Sequence, residues 1–171
     1  DLNARPELPY PAESFDAVAD FAAPFPVEVI SVMLGVPEAD RQQIRHWTDT
    51  MLRREEGNPK PSHASIEASL FQIGYFLELI AEKRKHPGDD MVTRLTEVEV
   101  EEEDGSTHRL TDAEIAGFAT LLAAAGSETV TKLVGSGVVL FERNPDEWRK
   151  LLDDPEKAPA AVEEVLRYWA P

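Results

Sequence analysis

An acid and a hydroxyl follow a glycine inside the apolar stretch LLAAAGSETVTKLVGSG, residues 121–137. Glu128 and Thr129 are neighbours, and together they could relay protons to a ligand. Gly126 costs roughly 1 kcal/mol relative to alanine in the middle of a helix. Because it has no side chain, however, it allows a ligand to approach the backbone closely. The pattern therefore permits a site for proton transfer on a helix.

The same residues also have a simpler interpretation, in which the helix reaches the protein surface at this point. Glu128 and Lys132 are four residues apart, so they would then form an ordinary exposed ion pair. A carboxylate without a partner is costly to bury, which favours this arrangement. Spacing alone leaves both interpretations open.

A second charged pair lies near the end of the chain in AVEEVLRYW, residues 161–169. Glu164 and Arg167 are three residues apart, about one helical turn. They lie roughly opposite an apolar stripe, so periodicity places them in water as a surface pair. The stripe is formed by Val162, Val165, Leu166 and Trp169.

The elements that position these residues are predicted to be helices. Apolar periodicity and punctuation by glycine and proline predict helices at about 26–33, 38–54, 65–85 and 91–95. Gly35 is suited to the cap at the end of the first helix. The acidic residues 97–104 are expected to form a solvated loop, although the alternation of Val98 and Val100 also permits a small hairpin near 98–109.

The motif around Glu128 belongs to a very long predicted helix. Thr111 and Glu114 form a capping box at its start, and no stop signal occurs before Arg143-Asn144-Pro145. Residues 115–125 are apolar on nearly every side, so we expect the helix to run through the middle of the fold. Asn144 and Glu147 predict a second capping box, which would start the next helix.

The sequence thus predicts a mainly α fold of helices around one long central helix, in a single unit spanning residues 1–171. Its predicted parts are an irregular lead-in at 1–22, helices at 23–55 and 63–96, the acidic loop or hairpin at 97–110, and the last helices at 111–171.

Composition excludes several classes of function. The chain has 17 basic and 33 acidic residues and a net charge of −16, so neither nucleic acid nor an anionic membrane is an expected partner. Neither a membrane-spanning run nor a signal peptide is apparent, and we expect a cytoplasmic location. The sequence contains no cysteine, and its four histidines lack the spacing of metal ligands, so no metal site is expected.

The two motifs, in this order and at this separation, resemble those of the cytochrome P450 family. They are Ala125-Gly126-Ser127-Glu128-Thr129 in the long helix and Glu164-Val165-Leu166-Arg167 in the last one. Residues 20–41 look like the E-helix region of bacterial, notably actinobacterial, members. The helices at 38–54 and 65–85 are similar to helices F and G. The resemblance covers nearly the whole chain and implies an internal segment from about helix E to helix K.

The resemblance implies roles for the first motif in a haem-dependent monooxygenase. Ala125 and Gly126 would be the small residues against which haem and dioxygen lie. Glu128 and Thr129 would hold water and deliver protons for oxygen activation.

Two further pairs have expected places in such an enzyme. The resemblance implies that Glu164 and Arg167 form a structural pair buried beneath the haem, which conflicts with the surface position indicated by periodicity. Leu121 and Leu122 lie one turn before Ala125, so helical geometry allows one or both to face substrate.

The resemblance also implies partners, namely an apolar small-molecule substrate and a ferredoxin or flavoprotein reductase that passes on electrons from NAD(P)H. Members of the family bind haem iron through a cysteine thiolate, which these 171 residues lack. We therefore expect the chain by itself to be inactive, and to self-associate through exposed apolar faces. The alternatives are a non-catalytic helical binding or scaffold protein, and a degenerate relative without haem.

Overall fold

The computed structural model describes residues 14–54 and 57–169. Most of the predicted lead-in, residues 1–13, lies outside this part of the chain. Its end differs from the irregular structure predicted to residue 22, because Ala17–Ala22 forms a short π-helix. Asp16 caps that helix by accepting hydrogen bonds from the backbone N–H groups of Val18 and Ala19, both at 2.9 Å.

The described residues are mainly helical, which confirms the predicted fold class. The α-helices are α1 (Pro24–Leu34), α2 (Arg41–Leu52), α3 (His63–Lys85), α4 (Met91–Glu97), α5 (Asp112–Arg143), α6 (Pro145–Asp153) and α7 (Ala158–Tyr168). Strands β1 (Glu99–Glu101) and β2 (Thr107–Arg109) form an antiparallel pair between α4 and α5, with Val100 opposite His108. The acidic segment therefore forms the small hairpin that the alternation of valines permits.

The described residues group into two compact units. One unit is Val27–Gly126, and the other combines the described residues before Val27 with those after Gly126. Helix α5 contributes its first half to one unit and its second half to the other. At 1.5 Å per residue its 32 residues extend about 48 Å, longer than the diameter of a small domain, so one compact core does not enclose it.

The core of the Val27–Gly126 unit lies against one side of α5. Ile115 and three alanines of α5 are buried there, together with Leu34, Val36, Ile44, Phe76, Leu79, Ile80 and Val92. Phe118 and Leu121 on the other side are 44% and 65% exposed. Within the described residues, other helices therefore cover one side of 115–125 and leave the other side exposed. The buried alanines lie on one face of α5, and their small side chains allow other helices to pack closely against that face.

Helix α1 ends in a glycine turn, as predicted. Gly35 has φ +75°, its N–H donates to the carbonyl of Val32, and the N–H of Val36 donates to the carbonyl of Ser31 at 2.8 Å. These two bonds satisfy carbonyls at the helix end. The side chain of Asp90 packs directly against Gly35 and leaves no space for a Cβ.

The starts of α5 and α6 differ in how well the sequence predicts them. The N–H of Thr111 donates to Glu114 Oε2 at 2.8 Å, and the N–H of Glu114 donates to Thr111 Oγ1 at 3.3 Å, which confirms the first capping box. The second is wrong, because Asn144 makes no capping bond with its side chain. Its amide instead donates to the carbonyl of Leu140 at 2.9 Å, and Glu147 pairs with Lys150.

Two helical segments are long and apolar enough to cross a membrane by length and composition alone. They are Ala17–Leu34 and His63–Lys85, with mean hydropathies of 1.6 and 1.2. The core helix of a globular protein passes the same test, and α3 buries Phe76 and Ile80 completely. These segments are therefore weak evidence for a membrane.

Candidate functional site

The first motif presents a continuous exposed stripe on α5. The exposed residues recur at intervals of three and four, which is the spacing of one helix face: Phe118, Leu121, Ala125, Glu128, Thr129 and Lys132. The stripe is apolar over its first half and polar over its second. The structure thus places three of the four residues predicted at the reaction site, Ala125, Glu128 and Thr129, on one face.

The two leucines before the motif have different surroundings. Leu121 belongs to the exposed stripe, whereas Leu122 is partly buried and packs against the core. Of the two residues that geometry allowed to face substrate, only Leu121 has the required exposure in the described chain.

Glu128 forms the ion pair that the simpler interpretation of the motif predicts. Its Oε1 lies 2.9 Å from Lys132 Nζ, and both side chains are about half-exposed. An exposed pair of this spacing stabilises a helix by only about 0.3 to 0.5 kcal/mol. Lys132 is therefore a weakly held partner, and the carboxylate can exchange it for water or for another donor.

Gly126 lies on a different side of α5 from the exposed stripe. A Cβ built on this residue would lie 2.9 Å from Cδ1 and 3.1 Å from Cγ1 of Ile30 in α1. Successive residues of a helix are about 100° apart around its axis, so Gly126 points away from the direction of Ala125. The resemblance implies a place beside the cofactor for both Ala125 and Gly126, and this role stays a prediction. The Cβ direction of Gly126 faces Ile30 of α1.

Sequence reasoning missed a polar contact just after the motif. Thr131 Oγ1 lies 2.8 Å from the carbonyl oxygen of Ser127 and 3.1 Å from that of Ala22. The second contact joins α5 to the end of the short π-helix. A threonine in a mostly apolar stretch indicates that its hydroxyl will bond to a backbone carbonyl. The sequence does not identify which distant carbonyl that is.

Glu164 and Arg167 form a bidentate pair on the surface of α7. Arg167 donates from Nε to one carboxylate oxygen and from its terminal nitrogen to the other, both at 2.7 Å. The side chains are 62% and 68% exposed. Within the described residues the pair is exposed, as periodicity predicts, and the burial implied by the resemblance stays a prediction. α7 buries Val165 on its other side.

The bidentate pair also affects the ionisation of both groups. The hydrogen bonds from Arg167 lower the pKa of the Glu164 carboxyl below its usual value. Donation of these hydrogen bonds to the Glu164 carboxylate likewise raises the pKa of the Arg167 guanidinium. Both groups therefore remain charged over the physiological range.

An apolar cavity of about 600 Å³ lies between the second half of α5, α6 and α7. Val162 and Val165 of the predicted apolar stripe line it, and the rings of Phe141 and Trp148 form part of its wall, with their centroids 5.1 Å apart. The residues of α7 that periodicity assigned to packing therefore border a space that the described residues leave open.

The exposed stripe of α5 fits one side of a haem, but these residues do not supply its iron ligand. Ala125 is small and exposed, with apolar Leu121 before it and the hydroxyl of Thr129 after it. The 171 residues contain no cysteine, so the thiolate of a haem-thiolate enzyme is not among them. In the described part of the chain, no three histidine, aspartate or glutamate side chains are grouped to hold a metal ion.

The chain is similar in sequence and in fold to several bacterial cytochrome P450s. The chain is 37% identical over 158 residues to cytochrome P450 CYP107DY1 of Priestia megaterium, covering 92% of this chain and 37% of that protein. It is 38% identical over 162 residues to erythromycin C-12 hydroxylase of Saccharopolyspora erythraea, covering 93% and 40%. The structure of the open cytochrome P450 EryK from S. erythraea matches with a TM-score of 0.79 and 35% identity, covering 90% and 39%.

No general model of a protein family matches the sequence. The chain spans about two fifths of the length of the relatives to which it is similar. The agreement in sequence and in fold covers 90% or more of this chain. The chain is therefore similar, over nearly all of its own length, to part of a bacterial cytochrome P450 in both sequence and fold.

Proposed function

We propose that this chain is part of a haem-dependent monooxygenase that inserts one oxygen atom into an apolar small molecule. The observation that supports this proposal is the exposed stripe of α5, which carries Leu121, Ala125, Glu128 and Thr129 on one face. Its order, an apolar half followed by an acid and a hydroxyl, suits a site where an apolar ligand meets a source of protons. The similar hydroxylase of S. erythraea acts at C-12 of erythromycin by its name.

The residues of the stripe have separate roles in this proposal. Leu121 contacts the apolar substrate and excludes water from it. Ala125 leaves room for the flat face of the haem. Glu128 and Thr129 hold water and move protons to the site of reaction. For this step Glu128 must release Lys132, which the weakness of an exposed ion pair allows.

The chemistry of oxygen activation belongs to the haem, whose thiolate ligand favours cleavage of the bond between the oxygen atoms. Electrons come from NAD(P)H through a ferredoxin or a flavoprotein reductase, and the enzyme works in the bacterial cytoplasm. Because the 171 residues have no cysteine, the chain by itself neither forms a haem-thiolate complex nor hydroxylates a substrate.

A chimera tests the proposed activity. Residues 14–169 replace the matching segment of cytochrome P450 CYP107DY1, which leaves the remainder of that protein to complete the fold. We expect this chimera, reduced under carbon monoxide, to show the absorption of a haem-thiolate complex, and the 171-residue chain mixed with haem to lack it. Absence of the signal from the chimera, despite a folded protein, would favour the alternative of a scaffold without haem.

Substitutions in the active chimera test the proton roles. Thr129→Ala and Glu128→Gln should each reduce the product formed per NAD(P)H consumed, by roughly 100-fold if proton transfer is lost. Thr129→Ser retains the hydroxyl and should retain most of the product. Lys132→Gln is the control for a change of charge on the same face. Equal yields from Thr129→Ala and the parent chimera would contradict the role of Thr129.

A further inference from the structure

Gly126 has no side chain, and Ile30 of α1 occupies the space that a side chain would take. A Cβ at this position would lie 2.9 Å from Ile30 Cδ1 and 3.1 Å from Ile30 Cγ1. Carbon atoms in favourable contact are separated by about 3.5 to 4.0 Å, so a methyl group does not fit without displacement of Ile30. Gly117, on the same helix, has no neighbouring atom within 4 Å of its Cβ position. Within α5, a Cβ would therefore meet a close neighbour at Gly126 but not at Gly117.

The surroundings of this contact are tightly packed. Ile30 packs against the core of the Val27–Gly126 unit, in which Ala119 and Ala123 of α5 are buried. Small residues at a helix contact reduce the distance between the two axes, and the side chains at the crossing determine that distance. Ile30 thus lies directly against the backbone of α5 at Gly126.

We infer that Gly126 is a positioning residue, which seats Ile30 of α1 on the first half of α5 and thereby sets the rotation that exposes Ala125. Because Gly126 follows Ala125 directly in the helix, fixing the side that faces α1 also fixes the direction in which Ala125 points. The packing itself is independent of the proposed monooxygenase activity. Only the consequence for the proposed place of Ala125 beside the haem rests on that activity.

A comparison of two glycine-to-alanine substitutions tests the packing in the 171-residue chain. Alanine is the better helix former, so Gly117→Ala should raise the urea midpoint of unfolding. Gly126→Ala should lower it, because the new methyl group meets Ile30. If Gly126→Ala raises the midpoint as Gly117→Ala does, the inference is overturned.

Substitution of Ile30 identifies the partner. Ile30→Val removes Cδ1, the nearer of the two atoms, so Gly126→Ala should lower the midpoint by less than half as much in this background. An equal loss in both backgrounds would overturn the assignment of Ile30. If Gly126→Ala alone does not fold, the double variant Ile30→Ala/Gly126→Ala should fold. Its failure, when Ile30→Ala folds, would count against the inference.

A cysteine reporter tests the positioning role without haem. The chain has no cysteine, so Ala125→Cys introduces a single thiol on the stripe. We expect Gly126→Ala to cause a severalfold change in the rate at which a thiol reagent modifies this thiol. Ile30→Val, added to Gly126→Ala, should restore the rate. An unchanged rate would overturn the positioning role even if the unfolding results agree. Since no activity is measured, failure of this test is distinct from failure of the proposed function.

Discussion

Lys83 Nζ lies 2.7 Å from Asp90 Oδ2 at the turn between α3 and α4, and both side chains are largely buried. Asp90 also caps α4, because its Oδ1 accepts a hydrogen bond from the N–H of Thr93 at 2.9 Å. One carboxylate thus joins the end of α3 to the start of α4 and packs against the glycine turn after α1.

Substitution of Asp90 should distinguish the contribution of the ion pair to stability from that of the helix cap. Asparagine caps helices as well as aspartate does, so Asp90→Asn removes mainly the charge. We expect the free energy of unfolding at neutral pH to fall by about 2 to 3 kcal/mol, because Lys83 loses its partner in a mostly buried site. The exposed Asp89→Asn is the control and should cost less than about 0.5 kcal/mol. Equal effects of the two substitutions in urea unfolding would contradict the prediction.

The same carboxylate should make stability depend on pH under acidic conditions. Burial by itself raises the pKa of Asp90, but the hydrogen bonds from Lys83 and Thr93 outweigh it and lower the pKa below the ordinary value. A lowered pKa stabilises the folded state above the pKa of the unfolded chain, and this contribution is lost as the pH falls through the folded pKa. The difference in stability between the native chain and Asp90→Asn should therefore be constant above about pH 5 and shrink below it. If this difference in stability grew on acidification, the pKa of Asp90 would be raised in the folded state, which would contradict the prediction.

The surface pair of α7 can be tested by titration. Because the hydrogen bonds from Arg167 lower the pKa of Glu164, Arg167→Gln should return that pKa towards its ordinary value. Carboxyl carbon chemical shifts measured by NMR between pH 2 and 7 would follow the change. Arg149→Gln, which removes the partner of Asp146 in α6, is the control and should leave the titration of Glu164 unchanged. No shift after Arg167→Gln would mean that the bidentate pair does not form in solution.

The exposed apolar residues predict self-association of the 171-residue chain. Val32 of α1 and Leu121 of α5 are 57% and 65% exposed, and other large apolar side chains accompany them on both helices. Exposed apolar patches of several hundred Å² are usually covered by a partner. Light scattering should therefore detect dimers or larger species, and Val32→Gln with Leu121→Gln should shift the distribution towards the monomer. A monodisperse monomer at high concentration would contradict this prediction.

Local sequence signals predicted the start of α5, the end of α1 and the exposed position of Glu164 and Arg167 in the described residues. Thr111 and Glu114 form the predicted capping box, and Gly35 ends α1 with a positive φ. Periodicity alone placed Glu164 and Arg167 in water. These features depend on residues within one or two turns of each other, so hydrogen bonding and spacing along the chain suffice to predict them.

The ion pair of Glu128 shows where such signals become ambiguous. The sequence allowed both a surface ion pair between Glu128 and Lys132 and a site for a ligand. The structure shows the ion pair, on an exposed face that a ligand can still reach. The resemblance to cytochrome P450s, carried by two short motifs at the right separation, identified the family where periodicity alone could not.

Contacts between distant parts of the chain were decided only by the tertiary structure. No pattern near Gly126 indicates that Ile30 occupies its open side, or that Asp90 fills the space beside Gly35. An apolar stretch such as 115–125 likewise does not show which of its faces other helices will cover. The physical reason is that burial depends on the shapes and volumes of side chains brought together by the whole fold, whereas helix formation and capping depend on neighbours in sequence.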